Sequence, residues 1–356
     1  MIKLNIGMPN KISIIQSQTI NALRFPMAMA VVFIHSGLQA TTEYDAHKTM
    51  LGNVLVFIIN SILPAAVPMF FMVSGFLFTC KMERLSRVWY NKQIHKKCLT
   101  LLVPYICWNI LAIPVYVLLF HDKAILGIIE KLRLLDFFNL FWAYNGSYPL
   151  DLPLWFIRDL FILMVASPVI IWILKKAKLV FVLIVSLFYV IIEKQICGFS
   201  SVGLLFFSLG AYYGLKDEKN ILNFGDKYKL LLGILFLSIG FANLYYPNVL
   251  FISRIYTILL TMVIYKLVYY CVSKKYISAK PLLAKSSFFI FASHFLGIYG
   301  YSTAIIRLAL PFEYLFSSDM KIIFSVILCT CICVILYYIL QRYFPKVTYV
   351  LTGGRN

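Results

Sequence analysis

The first long apolar segment of the chain carries an arginine and a histidine at a helical spacing. Arg24 and His35 are eleven residues apart, and eleven residues of an α-helix complete almost three turns. Both side chains are therefore expected on one face, separated by roughly 16 Å along the axis. Ionisable groups in a bilayer are costly, so both are candidates for function. The alternatives are an arginine that extends to the membrane surface and a histidine that only packs.

The two side chains have complementary chemistry. Imidazole can accept and return a proton near neutral pH, whereas guanidinium binds phosphate oxygens strongly. A substrate with a phosphorylated head and a long, thin arm that carries the group to be transferred could contact Arg24 with its head. Its reactive end would then lie beside His35. Coenzyme A has this shape, so the spacing favours a site for an acyl thioester.

A basic segment precedes the third apolar run. It contains Lys92, Lys96 and Lys97, and its charge would attract the phosphates of a nucleotide. Membrane topology and lipid headgroups explain the same charge without a ligand. In the run before it, the pair Ser74-Gly75 could let either a ligand or a neighbouring helix approach closely.

Polar side chains also occur inside two later apolar runs. Trp155, Arg158 and Asp159 lie about one turn inside the fourth run, and His294 lies in the ninth. Adjacent helical residues point about 100° apart, so Arg158 and Asp159 need not pair with each other. These groups could bind an acceptor from outside. An ion-pair network and a histidine bonded to a neighbouring helix are the structural alternatives.

The composition is typical of a polytopic membrane bundle that would position these residues. The chain has 356 residues, 62% hydrophobic and only 13% charged, whereas soluble domains carry roughly a quarter charged residues. We predict a single all-α domain over residues 1–356 with about ten transmembrane helices. The runs lie near residues 19–40, 54–80, 99–120, 153–174, 177–193, 200–215, 229–246, 250–270, 286–310 and 321–341.

The basic residues are distributed as membrane topology requires. The net charge is +19, but Lys and Arg cluster in alternate loops rather than in one patch. The basic loops lie near residues 81–97, 175–178, 216–229 and 274–285, and the C-terminal tail is also basic. The positive-inside rule therefore places these loops and both termini in the cytoplasm. The pattern argues against a nucleic-acid partner and indicates contact with membrane lipids.

Neither a metal site nor a disulfide framework is expected. Of the eight cysteines, only Cys197 is predicted in an outer loop. Cys329, Cys331 and Cys333 alternate in one apolar run, where positions two apart point about 200° apart and do not converge. We interpret them as small packing residues. Residues 1–17 lack the pattern of a cleavable signal, so the first run is expected to be retained.

The ordered motifs of the chain resemble the membrane acyltransferase 3 family, which O-acylates bacterial glycans and related surface molecules. The resemblance implies ten helices, a cytoplasmic acyl-CoA donor, an outer acceptor and activity that depends on Arg24 and His35. The matching segments are Arg24 to His35, Pro68 to Leu77, Lys97 to Trp108 and Leu154 to Leu160, with a weaker fifth at Ser287 to His294.

The sequence departs from the family pattern after the first-helix histidine. Some members follow it with a second histidine or an acidic residue, whereas Ser36 follows His35 here. The group that orients His35 therefore stays open. The candidates are the carboxylates predicted at a comparable depth, Glu43, Asp45, Asp151 and Asp159.

We therefore expect an enzyme of a bacterial cytoplasmic membrane that transfers an acyl group, in the first instance acetyl, from acetyl-CoA. The acceptor would be a hydroxyl of a cell-surface polysaccharide or lipid-linked glycan, and no metal is expected. The predicted catalytic residues are His35, as general base or acyl relay, Arg24 and Arg158. The predicted donor-binding residues are Arg24, Ser74, Lys92, Lys96 and Lys97. The predicted acceptor-binding residues are Trp155, Arg158, Asp159 and His294.

A transporter or flippase of a sugar or small polar molecule is the alternative function. A bundle with a few buried charges suits substrate movement as well as catalysis. Transporters often show inverted repeats and matched broken helices, and the sequence shows no such pair. Transfer of label from acetyl-CoA to a glycan would separate the two functions.

Overall fold

The computed structural model describes most of the chain and shows helices throughout the part it describes. The described residues are 13–36, 50–82, 84–119, 134–144, 148–192, 199–216, 229–246, 249–311 and 318–354, with His121, Ile125, Gly127 and Ile221. All the elements that these ranges form are helical. The predicted all-α class is thus confirmed for them.

Fifteen α-helices follow one another along these ranges. They are α1 Ile14–Ile34, α2 Met50–Ser61, α3 Ala66–Thr79, α4 Arg87–Lys97, α5 Val103–Pro114, α6 Leu134–Trp142, α7 Trp155–Val165, α8 Ser167–Ile191, α9 Ser201–Leu215, α10 Lys229–Tyr245, α11 Leu250–Ser273, α12 Pro281–Ser293, α13 Tyr299–Ala309, α14 Ser318–Tyr343 and α15 Pro345–Thr352. The 3₁₀ segments Leu63–Ala65 and Leu152–Leu154 lead into α3 and α7, and π-helical segments occupy Cys98–Leu102, Val115–Leu119 and His294–Ile298.

Several of these helices join into stretches that can cross a membrane. Five are long and apolar enough, namely Met50–Thr79, Arg87–Leu118, Leu250–Ser273, Pro281–Ala309 and Ser318–Tyr343. The α7–α8 pair is a sixth candidate and is bent by 64°. Helices Ser201–Leu215 and Leu230–Tyr245 are apolar but shorter. The described residues thus support a multi-pass protein, and the count of ten crossings and the location of both termini stay predictions.

The bend between α7 and α8 has a local cause. Pro168 lies in the first turn of α8, where it has no N–H and its ring displaces the carbonyl of the preceding turn. A second break occurs at Lys178, which has φ 48° and ψ −125° inside α8. That break falls at the basic segment 175–178, where the sequence predicts the end of one run and the start of the next.

Helices α3 and α9 pack with their backbones in direct contact. A Cβ atom on Gly75 would lie 2.1 Å from the carbonyl oxygen of Phe207, and one on Gly210 would lie 1.9 Å from that of Met72. The Thr79 hydroxyl also donates across this contact to the carbonyl of Ala211, at 3.1 Å. Gly75 therefore serves the close approach of two helices, one of the two readings that the sequence left open.

The C-terminal helix α15 folds back against the bundle. The indole N–H of Trp108 in α5 donates to the carbonyl oxygen of Leu351, at 2.9 Å. Gly353 ends α15 in the left-handed conformation, with φ +62°, which glycine adopts without a steric penalty. A Cβ atom there would lie 2.2 Å from the carbonyl oxygen of Thr100. The end of the chain is thus fitted tightly onto the segment Cys98–Leu102.

We predict that Gly210→Ala destabilises the protein because the added methyl group forces α3 and α9 apart. Overpacking of this kind costs about 1–3 kcal/mol. Gly233→Ala in α10 is the matched control, since no heavy atom lies within 4 Å of its added Cβ and alanine favours a helix by up to about 1 kcal/mol. Thermal unfolding in detergent micelles measures both. Equal midpoints for the two variants would contradict the close contact.

Candidate functional site

A cavity of about 390 Å³ lies between α1, α3, α4, α7 and α12. Arg24, Ser74, Lys96 and Lys97 all line it. The structure therefore brings together four of the five residues that the sequence predicts for donor binding. The fifth, Lys92, is exposed on α4 and does not line the cavity.

A second cavity of about 860 Å³ adjoins the first. Its lining includes Gln18, Asn21, Lys275 and Lys285. Arg24, with Ala284 and Gly354, lines both cavities and therefore lies where they meet. The two cavities together present five cationic side chains, and sequence reasoning had used Lys275 and Lys285 only as markers of topology.

Arg24 is partly buried and is not neutralised by a carboxylate in the described ranges. No side chain or carbonyl there forms an ion pair or hydrogen bond with its guanidinium group. A partly buried cation normally has a partner, because transfer from water is costly. Phosphate oxygens would supply one, since guanidinium binds them in a bidentate manner.

The inner end of the 390 Å³ cavity is aromatic. Phe70, Phe156 and Phe291 line it, and their ring centroids lie 5.8 to 6.3 Å from one another. We call these three residues the aromatic cluster. The cavity thus has a cationic mouth and an apolar interior, as a molecule with a charged head and a less polar arm would require.

His35 directly follows the last residue of α1. Its ring centroid is 5.5 Å from that of His294 and 5.5 Å from that of Phe295. His35 does not line the 390 Å³ cavity. Phe291 of the aromatic cluster lies three residues before His294 in sequence, which is about one turn along the same helix.

Arg24 and His35 both face the same neighbouring helix. Arg24 shares its cavities with Ala284 near the start of α12, and His35 contacts His294 directly after the end of α12. Helices α1 and α12 therefore run in the same direction in contact with each other. This arrangement follows from the spacing of eleven residues, which keeps both side chains on one face of α1.

His294 begins a π-helical segment, His294–Ile298. The segment is irregular, with φ −77° and ψ 49° at Leu296 and a φ of +83° at Gly297. Glycine tolerates that positive φ, and π-bulges within helices are frequent at functional sites. His294 itself is fully buried. The irregular residues Leu296 and Gly297 follow His294, so the buried imidazole lies where the regular helix α12 passes into the irregular segment.

Tyr299 holds the end of α1 in place. Its hydroxyl donates to the carbonyl oxygen of Ser36, at 2.9 Å, and the Ser36 hydroxyl donates to the carbonyl of Phe33, at 2.7 Å. Sequence reasoning missed Tyr299, because a tyrosine in an apolar run cannot be told from a packing aromatic. The one sequence feature that could have indicated Tyr299 is its position five residues after His294 in the same apolar run.

Arg158 and Asp159 form an ion pair with each other, in agreement with the structural alternative of an ion-pair network that the sequence left open. Arg158 Nε lies 3.1 Å from Asp159 Oδ1, and the two side chains are only 5% and 1% exposed. Arg158 Nη1 also donates to the carbonyl of Trp142, at 2.7 Å. The Cβ directions differ as expected, but the long arginine side chain folds back onto its neighbour. The pair holds α6 against α7.

The carboxylates proposed to orient His35 are placed elsewhere in the described structure. Asp159 is engaged by Arg158. Asp151 is fully buried, and its backbone N–H donates to Asn109 Oδ1 at 3.0 Å. Both aspartates lie within electrostatic range of Tyr105, and neither bonds to His35. Glu43 and Asp45 lie outside the described residues.

Trp155 belongs to a third cavity. This cavity, of about 250 Å³, is also lined by Arg254 and Tyr189. Arg254 Nη1 donates to the carbonyls of Tyr189 and Ile192 at the end of α8, both at 2.6 Å. The predicted acceptor-binding residues therefore occupy three separate places, namely the Trp155 cavity, the Arg158–Asp159 pair and the buried ring of His294.

Potential metal ligands do not converge in the part of the chain that the structure describes. No group of three His, Cys, Asp or Glu side chains there could hold a metal ion. Cys329 and Cys333 are buried on one face of α14, whereas Cys331 is exposed. This alternation agrees with the interpretation of these thiols as packing residues. Cys197 lies outside the described residues.

One comparison with known proteins finds a match. A family model described as an acyltransferase domain matches residues 18–338. The match covers every residue of the site except those of α15 and its glycine cap. Neither curated proteins nor solved structures give a match.

We predict that Arg158→Met lowers stability by about 3–5 kcal/mol, because Asp159 then stays buried without its cation. The double variant Arg158→Met/Asp159→Leu should recover at least half of the loss, since neither charge remains. Thermal unfolding in detergent measures both variants. Unchanged stability of Arg158→Met would mean that the pair does not support the fold.

Proposed function

Because the chain belongs to the acyltransferase 3 family, we propose that it transfers an acyl group, in the first instance acetyl, from acetyl-CoA to a hydroxyl of a cell-surface polysaccharide or lipid-linked glycan. Family membership supports acyl transfer, and the apolar helices support a multi-pass membrane protein. The donor, the acceptor, the residue roles and a location in a bacterial cytoplasmic membrane are our proposal.

The observation that carries this proposal is the cationic cavity, whose wall includes Phe291, about one helical turn before the His294 that contacts His35. Arg24, Lys96 and Lys97 surround its mouth and would bind the phosphates of coenzyme A. The adjoining 860 Å³ cavity adds Lys275 and Lys285 and offers room for the nucleotide. The pantetheine arm would then follow the apolar wall toward the aromatic cluster.

The aromatic cluster must open before the thioester reaches His35. In this proposal Phe70, Phe156 and Phe291 stand between the imidazole and the cavity, which His35 does not line, so at least one of these rings would have to turn aside. Packed rings at this position exclude water while the donor binds. Exclusion of water protects a reactive thioester from hydrolysis, which is useful in an enzyme whose acceptor is a sugar hydroxyl.

The proposed reaction uses His35 as a general base. Its unprotonated ring nitrogen takes the proton of the acceptor hydroxyl while the hydroxyl oxygen attacks the thioester carbonyl. The carbon–sulfur bond breaks, and the coenzyme A thiolate takes the proton from the imidazolium. In the relay form, the acyl group first passes to the imidazole and then to the acceptor. General-base catalysis contributes about 10²–10⁴ in rate, and positioning supplies the rest.

The acceptor would approach His35 from the end of the bundle opposite the basic loops. The positive-inside rule places the basic loops in the cytoplasm, together with the donor cavity. Roles for Trp155, Arg158 and Asp159 in acceptor binding stay predictions, and none of these three residues contacts His35 in the described structure. Lys92 would act at a distance by attracting the donor.

We predict that His35→Ala abolishes acyl transfer without affecting membrane insertion. Purified protein would be incubated with radiolabelled acetyl-CoA and lipid-linked glycans, and the label on the glycan measured. Loss of the base should lower the rate by at least about 10²-fold. His95→Ala is the matched control, because His95 is exposed on α4 and lines neither cavity.

Two outcomes of this experiment would contradict the proposal. Wild-type turnover in His35→Ala would remove the imidazole from the mechanism. Movement of a sugar across vesicles by the wild-type protein, without transfer of label, would identify a transporter instead.

We predict that Arg24→Gln weakens the binding of acetyl-CoA. Hydrogen bonds to a charged group contribute about 1.5–3 kcal/mol, so the Kd should rise roughly 10- to 100-fold. Isothermal titration calorimetry in detergent measures the Kd. Arg84→Gln is the control. Arg84 is an exposed arginine of the basic loop 81–97 and lines neither cavity. An unchanged Kd in Arg24→Gln would count against the assigned role of Arg24.

A further inference from the structure

The hydrogen bonds of His294 fix which of its nitrogens carries a proton. Nδ1 lies 3.0 Å from the carbonyl oxygen of Ile290. A carbonyl oxygen only accepts hydrogen bonds, so Nδ1 of the neutral ring must be the donor and Nε2 must carry the lone pair. The same carbonyl also accepts the backbone N–H of His294, which its two lone pairs permit.

The Nε2 atom of His294 is a buried acceptor. His294 is fully buried, and no atom of the described residues donates a hydrogen bond to Nε2. Buried polar atoms without a partner are rare, and each such atom costs about 1–3 kcal/mol. An unsatisfied acceptor beside a predicted catalytic base therefore calls for a donor.

The neighbours of the ring show which donor is available. The centroid of His294 is 5.5 Å from that of His35 and 6.3 Å from that of Phe295. Of these two neighbours only imidazole has an N–H group. The planes of the two imidazoles are inclined by 38°, and a rotation of the partly buried His35 ring can bring the nitrogens into hydrogen-bond range. Bonds between catalytic groups are often longer before substrate binds.

We propose that His294, rather than a carboxylate, is the positioning residue of His35. His294 Nε2 accepts the N–H of the His35 ring, which leaves the other nitrogen of His35 unprotonated and turned toward the acceptor hydroxyl. The chain of bonds runs from the Ile290 carbonyl through both imidazoles. This inference rests on the proposed function, because it concerns the base of that reaction.

A neutral partner such as His294 suits a general base that lies inside the bundle, as His35 does. When His35 takes the proton of the acceptor, its N–H becomes part of an imidazolium, and the bond to His294 becomes charge-assisted and stronger. The partner thereby stabilises the charge where it develops. It also avoids a permanent negative charge inside the bundle, which would be costly without a cation beside it. The presence of Ser36 after His35 is then consistent with a partner supplied by another helix.

The test compares two amide substitutions at the same position. His294→Asn keeps an N–H near the position of Nδ1 and has no atom at the position of Nε2. His294→Gln places an amide group at the position of Nε2, where its oxygen can accept the N–H of His35. A packing role depends on side-chain volume, so His294→Met, which is close to Gln in volume but has no amide oxygen, is the control: a packing role alone would give it the kcat of His294→Gln.

We expect the kcat for acyl transfer to fall roughly 10²-fold in His294→Asn, with an unchanged KM for acetyl-CoA, because His294 lines neither donor cavity. His294→Gln should keep at least about a tenth of the wild-type kcat. Equal kcat values in the two variants, or wild-type kcat in His294→Asn, would overturn the proposal. If His294→Asn fails to accumulate, a kcat of His294→Gln as low as that of His35→Ala overturns it.

This experiment distinguishes a failure of the proposed function from a failure of the role proposed for His294. A wild-type protein that transfers no label refutes the proposed function. A wild-type protein that transfers label, together with a fully active His294→Asn, refutes only the role of His294. Binding of acetyl-CoA by both variants, measured by calorimetry, shows that a lost kcat does not result from unfolding.

Discussion

The free-energy cost of placing charged side chains in hydrocarbon is the main constraint on where the ionisable residues of this bundle can lie. Most charges inside it have a structural partner. Arg158 is paired with Asp159 and a backbone carbonyl, and Arg254 donates to two carbonyls at the end of α8. Arg24 and the Nε2 atom of His294 differ, because no partner occurs for either among the described residues. Both carboxylate oxygens of the buried Asp151 also lack a partner there, so a missing partner alone does not identify a site; Arg24 and His294 are singled out because one lines two cavities and the other contacts His35.

The parts of the site that sequence could predict depend on local geometry. Helical periodicity alone places Arg24 and His35 on one face of α1. The position of Ser74, Lys96 and Lys97 along their helices was sufficient to bring them to one cavity once the helices packed. The contact between His35 and His294 could not be predicted, because it depends on which distant helix packs against α1. The sequence left open whether Arg158 pairs with Asp159, since periodicity gives the direction of Cβ but not the path of a long side chain.

The C-terminal segment shows a different limit of sequence interpretation. Runs of apolar residues indicate helices that cross a membrane, and the last such run ends near residue 341. Helix α15 is short, and yet Gly353 and Gly354, which follow it, line the 390 Å³ cavity. Pro345 at the start and Gly353 just past the end are the usual boundary residues of a helix and could have revealed it. The segment also lies beyond the part of the chain that the acyltransferase domain covers.

The aromatic cluster has a consequence for the cell as well as for the reaction. A path that carries an acyl group from one side of a membrane to the other is also a possible leak for protons and small ions. The electrical potential drives each elementary charge with about 2.3 kcal/mol per 100 mV, so even a narrow continuous column of water would dissipate it. The rings of Phe70, Phe156 and Phe291 pack with centroids 5.8 to 6.3 Å apart, and on the proposed path they would exclude such a column. Under the proposed function, the bundle would therefore pass an acyl group outward while the membrane stays electrically sealed.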